Sequence, residues 1–447
     1  MRSKQAKVLH RAGGRTLVEH VVSAASALAR PEQMIVVTGH QADGVEALLR
    51  PQGLRFVRQT EQKGTGHALE CCRCSAGKEE LLMVLYGDTP LLSSATLQSL
   101  YRMHKEKKPS ASVITTALDD PTGYGRVIAD RDGNIEEIVE HKDCNPAQQA
   151  VRVINSGIYC FQADLLWRHL EEVQPNQASG EYYLTDMARI LRSHGHSVRA
   201  VHIGDASELL GINTRVELAE ADAVLRRRKA SELMLAGVTI EKPETVTIDP
   251  GVTCGQDTVI EPFARLLGET SIGEDCRVGA GAILESAVLE DRVVIAPYTL
   301  LANSRVEAGA HVGPFARVRM GARVGSEARI GNFVELKKTH LGAGAKSQHL
   351  AYLGDSEIGA GSNIGAGTIT CNYDGVKKHE TKIGEGAFIG SNATLVAPVE
   401  IGAGAYVAAG SVITEAVPAD ALALGRARQA MKPGWAAQRR AKKRAKK

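Results

Sequence analysis

The feature that most constrains the fold is a six-residue period of aliphatic side chains in the second half of the chain. Three series run without a break: Ile248, Cys254, Ile260, Leu266, Ile272, Val278 and Leu284; Val306, Val312, Val318, Val324 and Ile330; and Ile383, Ile389, Leu395, Ile401, Val407 and Ile413. Neither an amphipathic helix nor an ordinary strand produces this spacing, whereas a β-helix of hexapeptide repeats does. We therefore expect stacked coils of three repeats each, with the aliphatic side chains inside and glycine in the turns.

The repeat is irregular at three places. The phase slips between Leu284 and Val288, and longer interruptions cover residues 337–357 and 370–382. An insertion into a stack of coils must loop outward, and loops on a rigid scaffold concentrate function. We therefore predict outward loops with functional residues at both longer interruptions.

The first half of the chain has a different pattern. Apolar runs at 34–38, 81–86, 113–117 and 154–158 alternate with helical periodicity, as at 16–28. This alternation predicts an α/β domain with a mostly parallel sheet, whose ligands bind beyond the carboxyl ends of the strands. The predicted organisation is an α/β domain at 1–214, a helical linker arm at 215–236, a β-helix at 237–436 and a basic tail at 437–447.

Composition and charge narrow the class of protein. A formal net charge of +3 over 447 residues does not indicate nucleic-acid binding. No stretch approaches the roughly 20 apolar residues of a membrane span, and no leader pattern opens the chain, so we expect no membrane partner. The eight cysteines form no regular framework, which is typical of reduced thiols in a cytoplasmic protein. The basic tail is expected to be a disordered, solvated end, with weak binding of anions or nucleic acid as the alternative.

Two segments of the first half carry candidate chemistry. Gly64-Thr65-Gly66-His67 precedes a helical run, where backbone amides can approach a ligand, although a simple turn has the same pattern. Asp88 follows a buried strand in Tyr86-Gly87-Asp88, where a carboxylate can bind a divalent cation together with phosphates. The alternative role for Asp88 is to cap a helix.

In the second half, His349 lies in the first interruption among Lys, Tyr and Glu residues. With a reference pKa of ~6.5, a histidine can take a proton from an amine near neutral pH. Arg319 and Lys337 are cations suited to a sugar phosphate. A purely structural histidine and solvated cations are the alternatives.

Taken in order, the motifs resemble those of one family. They are Lys7-Val-Leu-His10, Gln59 to Ala68, Tyr86-Gly87-Asp88, Asp120 to Arg126, Val139-Glu-His-Lys142, Asn155-Ser-Gly-Ile158, Gly180-Glu-Tyr-Tyr183, Gly211-Ile-Asn213 and, in the β-helix, Asn363 to Gly375. Over essentially its whole length the chain resembles the bacterial bifunctional N-acetylglucosamine-1-phosphate uridyltransferases/glucosamine-1-phosphate N-acetyltransferases. The fold that this resemblance implies is a Rossmann-like α/β nucleotidyltransferase followed by a left-handed parallel β-helix.

For the first domain, the resemblance implies uridylyl transfer from UTP to N-acetylglucosamine-1-phosphate, with release of pyrophosphate. The implied UTP and UDP-N-acetylglucosamine site comprises Lys7, Gln59, Gly64, Thr65, Tyr86, Gly87, Asp88, Gly125, Glu140, Asn155 and Asn213. Within it Gln59, Gly64 and Thr65 would recognise uracil, and Gly125, Glu140 and Asn155 would hold the sugar. Asp88 and Asn213 would bind Mg²⁺.

For the second domain, the resemblance implies acetyl transfer from acetyl-CoA to glucosamine-1-phosphate, with His349 as general base. The implied sugar-phosphate residues are Arg319, Lys337, Tyr352 and Asn363. The implied acetyl-CoA residues are Ala366, Asn372, Tyr373, Ser391, Ala409 and Arg426. Family members are homotrimers with acetyl sites between subunits, so one chain alone is expected to be incomplete.

The chain departs from the family pattern at its beginning. The family opens with a strand and a glycine-rich loop around the nucleotide phosphates, and Met1–Lys7 corresponds to the segment just after that loop. A first strand is therefore expected to be missing, its apolar neighbours exposed and uridylyl transfer lost, and a misassigned start codon is the explanation that we favour. Two alternatives to the bifunctional enzyme follow: an acetyltransferase only, or a non-catalytic scaffold that senses sugar nucleotides.

Overall fold

The computed structural model describes residues 1–77 and 79–445, which form two compact units. The α/β unit comprises Met1–Arg228, and the β-helix unit begins at Lys229. The boundary falls inside the helix Arg215–Leu235, which the sequence assigns to the linker arm. The predicted domain limits stay predictions.

The α/β unit alternates short helices and strands. Its helices are α1 (Leu17–Ala25), α2 (Ala42–Leu49), α3 (Thr65–Cys71), α4 (Ser94–Lys107), α5 (Pro146–Gln149), α6 (Ala163–His169), α7 (Asp186–Ser193) and the beginning of α8 (Arg215–Leu235). Its strands are β1 (Arg11–Ala12), β2 (Arg15–Thr16), β3 (Ile35–Thr38), β4 (Arg55–Arg58), β5 (Leu81–Val84), β6 (Ala111–Ala117), β7 (Arg126–Ala129), β8 (Ile135–Val139), β9 (Val153–Gln162) and β10 (Val198–His202).

The main sheet of this unit is mixed, so the prediction of a mostly parallel sheet is wrong. Its strand order is β10-β6-β9-β7-β8, with β5 also paired to β9. β9 runs antiparallel to β5, β6 and β7, and among the described strands of this sheet only β6 and β10 pair in parallel. The reason lies between β6 and β9, where the chain forms the β7–β8 hairpin instead of the helical crossover that a parallel neighbour needs.

A second small sheet holds β3 and β4, which pair in parallel. Among the described residues, β3 is paired only with β4 and β5 only with β9. The apolar side chains on these strands, from Ile35 to Val37 and from Leu81 to Val84, are half-buried. The strands of the α/β unit are thus divided among three sheets, because β1 and β2 form a two-stranded sheet of their own.

The β-helix unit is built almost entirely from short strands. They are β11 (Thr239–Ile240), β12 (Thr247–Ile248), β13 (Thr253–Cys254), β14 (Val259–Ile260), β15 (Arg265–Leu267), β16 (Ser271–Ile272), β17 (Arg277–Val278), β18 (Ile283–Glu285), β19 (Val288–Leu289), β20 (Val294–Ile295), β21 (Leu300–Ala302), β22 (Arg305–Val306), β23 (His311–Val312), β24 (Arg317–Arg319), β25 (Arg323–Val324), β26 (Arg329–Asn332), β27 (Glu335–Leu341), β28 (Lys346–His349), β29 (Tyr352–Ile358), β30 (Asn363–Ile364), β31 (Ile369–Cys371), β32 (Thr381–Ile383), β33 (Phe388–Ile389), β34 (Thr394–Val396), β35 (Val399–Ile401), β36 (Tyr406–Val407), β37 (Val412–Ile413) and β38 (Leu422–Ala423). Each pairs in parallel with the equivalent strand of the next coil.

The register of these pairs gives the length of each coil. Thr247 pairs with Arg265, 18 positions on, so a regular coil is three hexapeptides. After the predicted phase slip, Ser271 pairs with Val288, only 17 positions on. The expected coil and the expected slip are both present.

The aliphatic period forms the core of the β-helix. Every member of the three series is buried except Cys254, which is partly buried. Val306, for example, pairs with Val324 one coil away. Because burying one Val or Ile contributes about 1.5–3 kcal/mol, repetition of this contact accounts for a stable stack with few aromatic residues.

Residues with left-handed backbone angles mark the turns, and they stack into three edges of the prism. One of these, the aromatic edge, is formed by Phe263, Tyr298, Phe315, Phe333 and Leu350. Its ring centroids lie 5.4 Å apart between Tyr298 and Phe315 and 5.5 Å apart between Phe315 and Phe333. The five side chains are 49% to 66% exposed. The equivalent positions on the other two edges are mainly polar, such as Asn303 and Glu327.

The first interruption, at 337–357, is not an outward loop, so that prediction is wrong. β27 and β29 stack in parallel, and Glu335 pairs with Tyr352, 17 positions on. The coil is one residue shorter than three hexapeptides, which displaces the apolar period although no chain is added. His349 consequently ends β28 on the prism itself.

The second interruption does loop outward. Ser356 pairs with Thr381, 25 positions on, against 18 in a regular coil. The additional residues lie between β31 and β32, in the segment that contains Asn372 and Tyr373.

The basic tail is helical as far as the structure describes it. α9 (Trp435–Arg444) is exposed along its length, and the Arg439 guanidinium lies 5.4 Å from the centre of the Trp435 ring. The tail is solvated as expected, but the prediction of disorder is wrong for 437–444, because Ala, Gln, Lys and Arg favour a helix. Lys446 and Lys447 lie outside the described residues.

Candidate active sites

Three predicted phosphate and metal residues meet beyond the end of β5. The Lys7 ammonium donates to Asp88 Oδ2 at 2.5 Å and to Asn213 Oδ1 at 2.9 Å. The backbone amide of Ile212 donates to the backbone oxygen of Asp88 at 3.0 Å, which joins the segment after β10 to the segment after β5. The arrangement places a carboxylate and a carboxamide oxygen around one cationic nitrogen.

This donor set fits a magnesium ion. Carboxylate and carboxamide oxygens are the ligands that Mg²⁺ takes, with phosphate and water oxygens completing its octahedron. Asp88 and Asn213 direct such oxygens at the same point, where Lys7 Nζ now lies. Asp88 caps no helix, so its alternative role is not seen.

A cavity of about 350 Å³ opens at the beginning of α3. The predicted uracil residues Gln59, Gly64 and Thr65 line it, together with Glu181 and Tyr183. Gln59 Nε2 donates to the backbone oxygen of Gly64 at 3.0 Å, which holds the carboxamide against the turn. The three residues are therefore brought together around one opening.

Glycine is required at position 64. Its φ of 96° is left-handed, and a Cβ there would lie 2.7 Å from the backbone oxygen of Tyr182. The Thr65 hydroxyl accepts a hydrogen bond from the backbone amide of Leu184 at 3.1 Å. The Gly-Thr-Gly turn is thus packed against the 182–184 segment, which explains why small residues stand there.

Tyr86 connects the cavity to the sugar residues. The pKa of Tyr86 is raised to about 12, mainly by desolvation and further by the charge of the nearby Glu140. Its ring packs on Gly157, where any Cβ would overlap it. The tyrosine therefore stays a neutral hydrogen-bonding group at neutral pH.

The predicted sugar residues Gly125, Glu140 and Asn155 lie near one another. The backbone amide of Asn155 donates to the backbone oxygen of Gly125 at 2.9 Å. Glu140 lines a second cavity, of about 170 Å³, and accepts from the Thr185 hydroxyl at 3.1 Å. Burial raises the pKa of Glu140 above its ordinary value. Tyr183 lines both cavities, so they adjoin.

In the β-helix unit, one column of residues runs beside the aromatic edge. Asn332 pairs with His349. The register of β30, β33 and β36 continues the column through Ala366, Ser391 and Ala409. Backbone hydrogen bonds link successive coils, with His349 O accepting from Gly367 N at 3.3 Å. The predicted base thus begins a line of three predicted acetyl-CoA residues with small side chains.

Asn332 determines which nitrogen of His349 carries the proton. Asn332 Oδ1 lies 3.0 Å from His349 Nδ1, and a carboxamide oxygen only accepts. The neutral imidazole therefore donates from Nδ1 and keeps its lone pair on Nε2. The side chain is exposed, so that lone pair can reach a substrate.

Lys337 is the centre of a second cluster, at one of the polar edges. It is 4% exposed and donates to Asp355 Oδ2 at 2.6 Å. Burial opposes the charge on both groups, but their hydrogen bond outweighs it, so the pKa of Lys337 is raised and the pKa of Asp355 is lowered. Asn372 donates to the same Asp355 oxygen at 2.5 Å. The predicted loop residue is thereby tied to the predicted cation.

Tyr352 and Arg319 extend this cluster. A Cβ on Gly354 would lie 2.5 Å from the Tyr352 hydroxyl and 2.7 Å from Asn372 Nδ2, so both side chains close over a position that must be glycine. Arg319 pairs in register with Lys337 and donates to Glu335 at 2.7 Å.

Other predicted residues are less closely connected. Among the described residues, no hydrogen bond or ion pair joins His349 to Arg319, Lys337 or Tyr352, because the base and the cationic cluster follow different edges of one chain. Asn363 begins β30, on the face of the prism that contains β28. Tyr373 is 59% exposed, and Arg426 lies exposed after β38.

Sequence reasoning missed Asn332, Asp355 and Lys378. The proximity of Lys337 lowers the pKa of Lys378, which indicates two crowded ammonium groups. The 17-residue step from His349 back to Asn332 was available as a signal once the coil length was known. Lys378 lies in the outward loop, where the sequence predicts functional residues, but no spacing there distinguishes one lysine from its neighbours.

Comparison with protein families gives the class. A model of the MobA-like NTP transferase domain matches residues 1–202. A model of the bacterial transferase hexapeptide (six repeats) matches 380–415, and one of the hexapeptide repeat of succinyl-transferase matches 269–296. The chain is therefore a transferase that joins an NTP transferase domain to hexapeptide transferase repeats.

Similar proteins identify the family. The chain is 56% identical over 441 residues to bifunctional protein GlmU of Solibacter usitatus, covering 98% of this chain and 95% of that protein. It is 47% identical over 450 residues to GlmU of Koribacter versatilis, covering 100% and 96%, and 51% identical over 448 residues to GlmU of Anaeromyxobacter dehalogenans, covering 99% and 91%. The chain belongs to the GlmU family of bifunctional proteins.

This membership confirms the predicted family, the predicted fold class and the prediction of a bifunctional transferase. It favours neither the acetyltransferase-only alternative nor the sensing scaffold. Among the helices that the structure describes, none combines the length and apolar character needed to cross a membrane.

Proposed function

We propose that the chain acetylates glucosamine-1-phosphate with acetyl-CoA and then transfers a uridylyl group from UTP to the product. The final products are UDP-N-acetylglucosamine, a cell-wall precursor, and pyrophosphate. Family membership supports the pair of activities, and the observation that carries the first one is the free Nε2 of His349 at the head of the small-residue column. A cytoplasmic location suits these co-substrates, and all eight cysteines are unpaired.

His349 would act as general base in acetyl transfer. The substrate amine attacks the thioester carbonyl carbon, the carbon–sulfur bond breaks, and CoA leaves as the thiolate. The proton that the nitrogen loses goes to His349 Nε2, while Asn332 holds Nδ1. Ala366, Ser391 and Ala409 leave room along the column for acetyl-CoA, with Tyr373 and Arg426 as further contacts.

The cationic cluster would hold the phosphate of the sugar. Four cations, Arg319, Lys337, Lys338 and Lys378, surround two carboxylates, those of Glu335 and Asp355. The excess of two positive charges matches a phosphate dianion, and the crowding of Lys378 on Lys337 is relieved when an anion binds between them. Tyr352 and Asn363 would position the sugar.

In the α/β unit, Mg²⁺ bound by Asp88 and Asn213 would neutralise the charge that develops on the phosphates. Lys7 supplies a second cation at the same place. Gln59, Gly64 and Thr65 would bind uracil in the larger cavity, and Glu140 with Gly125 and Asn155 would bind the acetylated sugar. These residues position the reactants and stabilise charge, and no covalent intermediate is needed.

We also propose a homotrimer. The aromatic edge exposes five large apolar side chains in one line, a surface that a monomer rarely leaves uncovered. It runs beside the acetyl-CoA column, so a neighbouring copy packed there would cover the cofactor and complete the site. The separation of His349 from the Lys337 cluster within one chain supports a site to which two copies contribute.

Separate assays of CoA release and pyrophosphate release test the catalytic proposal. For His349→Ala we expect CoA release to fall by on the order of 10²–10⁴-fold with pyrophosphate release unchanged. The matched control is His340→Ala, which removes another exposed histidine of the β-helix and should leave both rates unchanged. Normal CoA release by His349→Ala would show that His349 is not the base. Failure of the unaltered chain to release pyrophosphate would favour the alternative of an acetyltransferase only.

Sedimentation analysis tests the trimer. Phe315→Asp introduces a charge into the middle of the aromatic edge at a position whose backbone angles aspartate tolerates. We expect it to shift the protein from trimer to monomer and to reduce CoA release with it. Asn303→Asp introduces the same charge on another edge and should remain trimeric. A trimeric Phe315→Asp protein would exclude this edge as the interface.

A further inference from the structure

We propose that His169, Glu172 and His194 form a binding site for a divalent transition-metal ion of the zinc class, separate from the nucleotide site. The three residues come from different elements of the α/β unit. His169 ends α6, Glu172 ends the 3-10 turn Leu170–Glu172, and His194 follows α7. One ligand atom from each lies within 4.8 Å of the other two.

The geometry converges on the Glu172 carboxylate. His169 Nδ1 lies 2.7 Å from Glu172 Oε1, and His194 Nε2 lies 2.9 Å from Glu172 Oε2. The two imidazole rings have centroids 4.2 Å apart, and the His196 ring lies 5.5 Å from His169. Two nitrogens thus face two oxygens of one carboxylate at hydrogen-bond distance, and an ion bound by all three side chains would displace the protons between them.

A buried imidazole points to the metal. His169 is 6% exposed, and its Nε2 has no hydrogen-bond partner in the described part of the chain. No second contact therefore fixes its tautomer, and Nδ1 can present a lone pair to an ion.

The donor set selects the kind of ion. Two imidazole nitrogens and one carboxylate suit Zn²⁺, Co²⁺, Ni²⁺ or Cu²⁺, whereas Mg²⁺ and Ca²⁺ take oxygen ligands. Three protein ligands leave one tetrahedral position for water or for His196. Glu172 and His194 are exposed at 45% and 43%, so the ion can enter from solvent.

The bound ion would hold the end of α6 against the turn after α7. Both segments pack on the core that contains Leu166, Leu170 and Leu191. An ion that binds the folded form alone raises its stability in proportion to occupancy. We therefore expect the metal to stabilise the α/β unit without taking part in either transfer reaction.

Titration of the untagged, chelator-treated full chain with Co²⁺ tests this site, in excess Mg²⁺ to fill oxygen sites. We expect visible absorption of tetrahedral Co²⁺ that saturates at one ion per chain, and Zn²⁺ should displace it. His194→Ala and Glu172→Gln change exposed side chains and should each weaken Co²⁺ binding by at least about tenfold. His202→Ala removes an exposed histidine elsewhere in the unit and should bind as the unaltered chain does.

Thermal unfolding provides a second readout. Zn²⁺ should raise the unfolding temperature of the unaltered chain and of His202→Ala, but not that of His194→Ala. Co²⁺ affinity that is the same in His194→Ala as in the unaltered chain would overturn the proposal, and so would absence of binding by the unaltered chain.

Discussion

The two units build their sites in opposite ways. In the β-helix, Asn332, His349 and Ala366 meet because each lies one coil from the next, at steps of 17 positions. In the α/β unit, Lys7 meets residues 81 and 206 positions away, where loops converge beyond the strand ends. In a repeat, each coil has the same geometry as the coil before it, whereas the segments that meet at a sheet edge share no sequence period. Neighbours can therefore be read from spacing in one unit only.

The largest expected effect comes from Asp88→Asn, which tests whether the two sites are independent. Loss of the carboxylate removes a metal ligand, so we expect pyrophosphate release to fall by on the order of a thousandfold. CoA release should be unchanged. Asp132→Asn, at an exposed position of the β7–β8 turn, is the control and should keep both activities. An equal fall in CoA release would show that the two sites are coupled and not independent.

Asp355→Asn tests whether the β-helix site depends on its buried ion pair. Leaving the Lys337 charge unpaired should lower the free energy of unfolding by about 3 kcal/mol at pH 7. The folded pKa of Asp355 lies below its ordinary 3.8, so the stabilisation is present above that pH and is lost as the pH falls through the folded value. The pKa of Lys337 is raised above its ordinary 10.5, so the stabilisation from its charge is present below that pH and is lost as the pH rises through the folded value.

Denaturant unfolding at several pH values measures this effect. The difference between Asp355→Asn and the unaltered chain should be constant near neutrality and should disappear in acid. A difference that persisted unchanged at the lowest pH would show that packing, and not charge, is responsible. Asp420→Asn, at an exposed position of the β-helix, is the matched acid-to-amide control.

Ile330→Val tests how locally the stack is held together. Ile330 is 2% exposed, and removal of one methyl group should cost about 1 kcal/mol. Because a coil contacts only its neighbours, calorimetry should show a lower transition for the β-helix and an unchanged one for the α/β unit. Val376→Ala, at a side chain that is 82% exposed, should change neither transition. A shift of both transitions would contradict independent folding.

The smallest effect is expected from Asn332→Asp, which retains an oxygen acceptor for His349 Nδ1. Nε2 therefore keeps its lone pair, and CoA release should fall by less than about tenfold. Asn332→Ala removes the acceptor, no longer fixes the tautomer and should reduce CoA release more than Asn332→Asp does. Equal CoA release by Asn332→Ala and the unaltered chain would show that Asn332 does not orient the base.

Much of the β-helix could be predicted because its core is periodic. Buried positions, coil length and the phase slip all follow from where aliphatic residues stand. The error at 337–357 arose because a coil shortened by one residue displaces the period as an insertion does, and only the pairing of Glu335 with Tyr352 distinguishes them. The outward loop at 370–382 was recognised because it adds residues outright.

The α/β unit was predicted less completely. Apolar runs located β3, β5, β6 and β9, but a run does not show its direction, so the antiparallel course of β9 was missed. The meeting of Lys7 with Asp88 and Asn213 came from resemblance and could not come from spacing. Asp355 was missed because only the folded coil places its carboxylate between Lys337 and Asn372.

The column that begins at His349 has one further consequence. Parallel strands lie about 4.8 Å apart, so three coils from His349 to Ala409 span about 14 Å along the prism. The length of ligand that this column can bind therefore changes only in steps of one coil. Such a protein cannot lengthen its reach gradually, and to accept a donor of another length it must gain or lose an entire turn of chain.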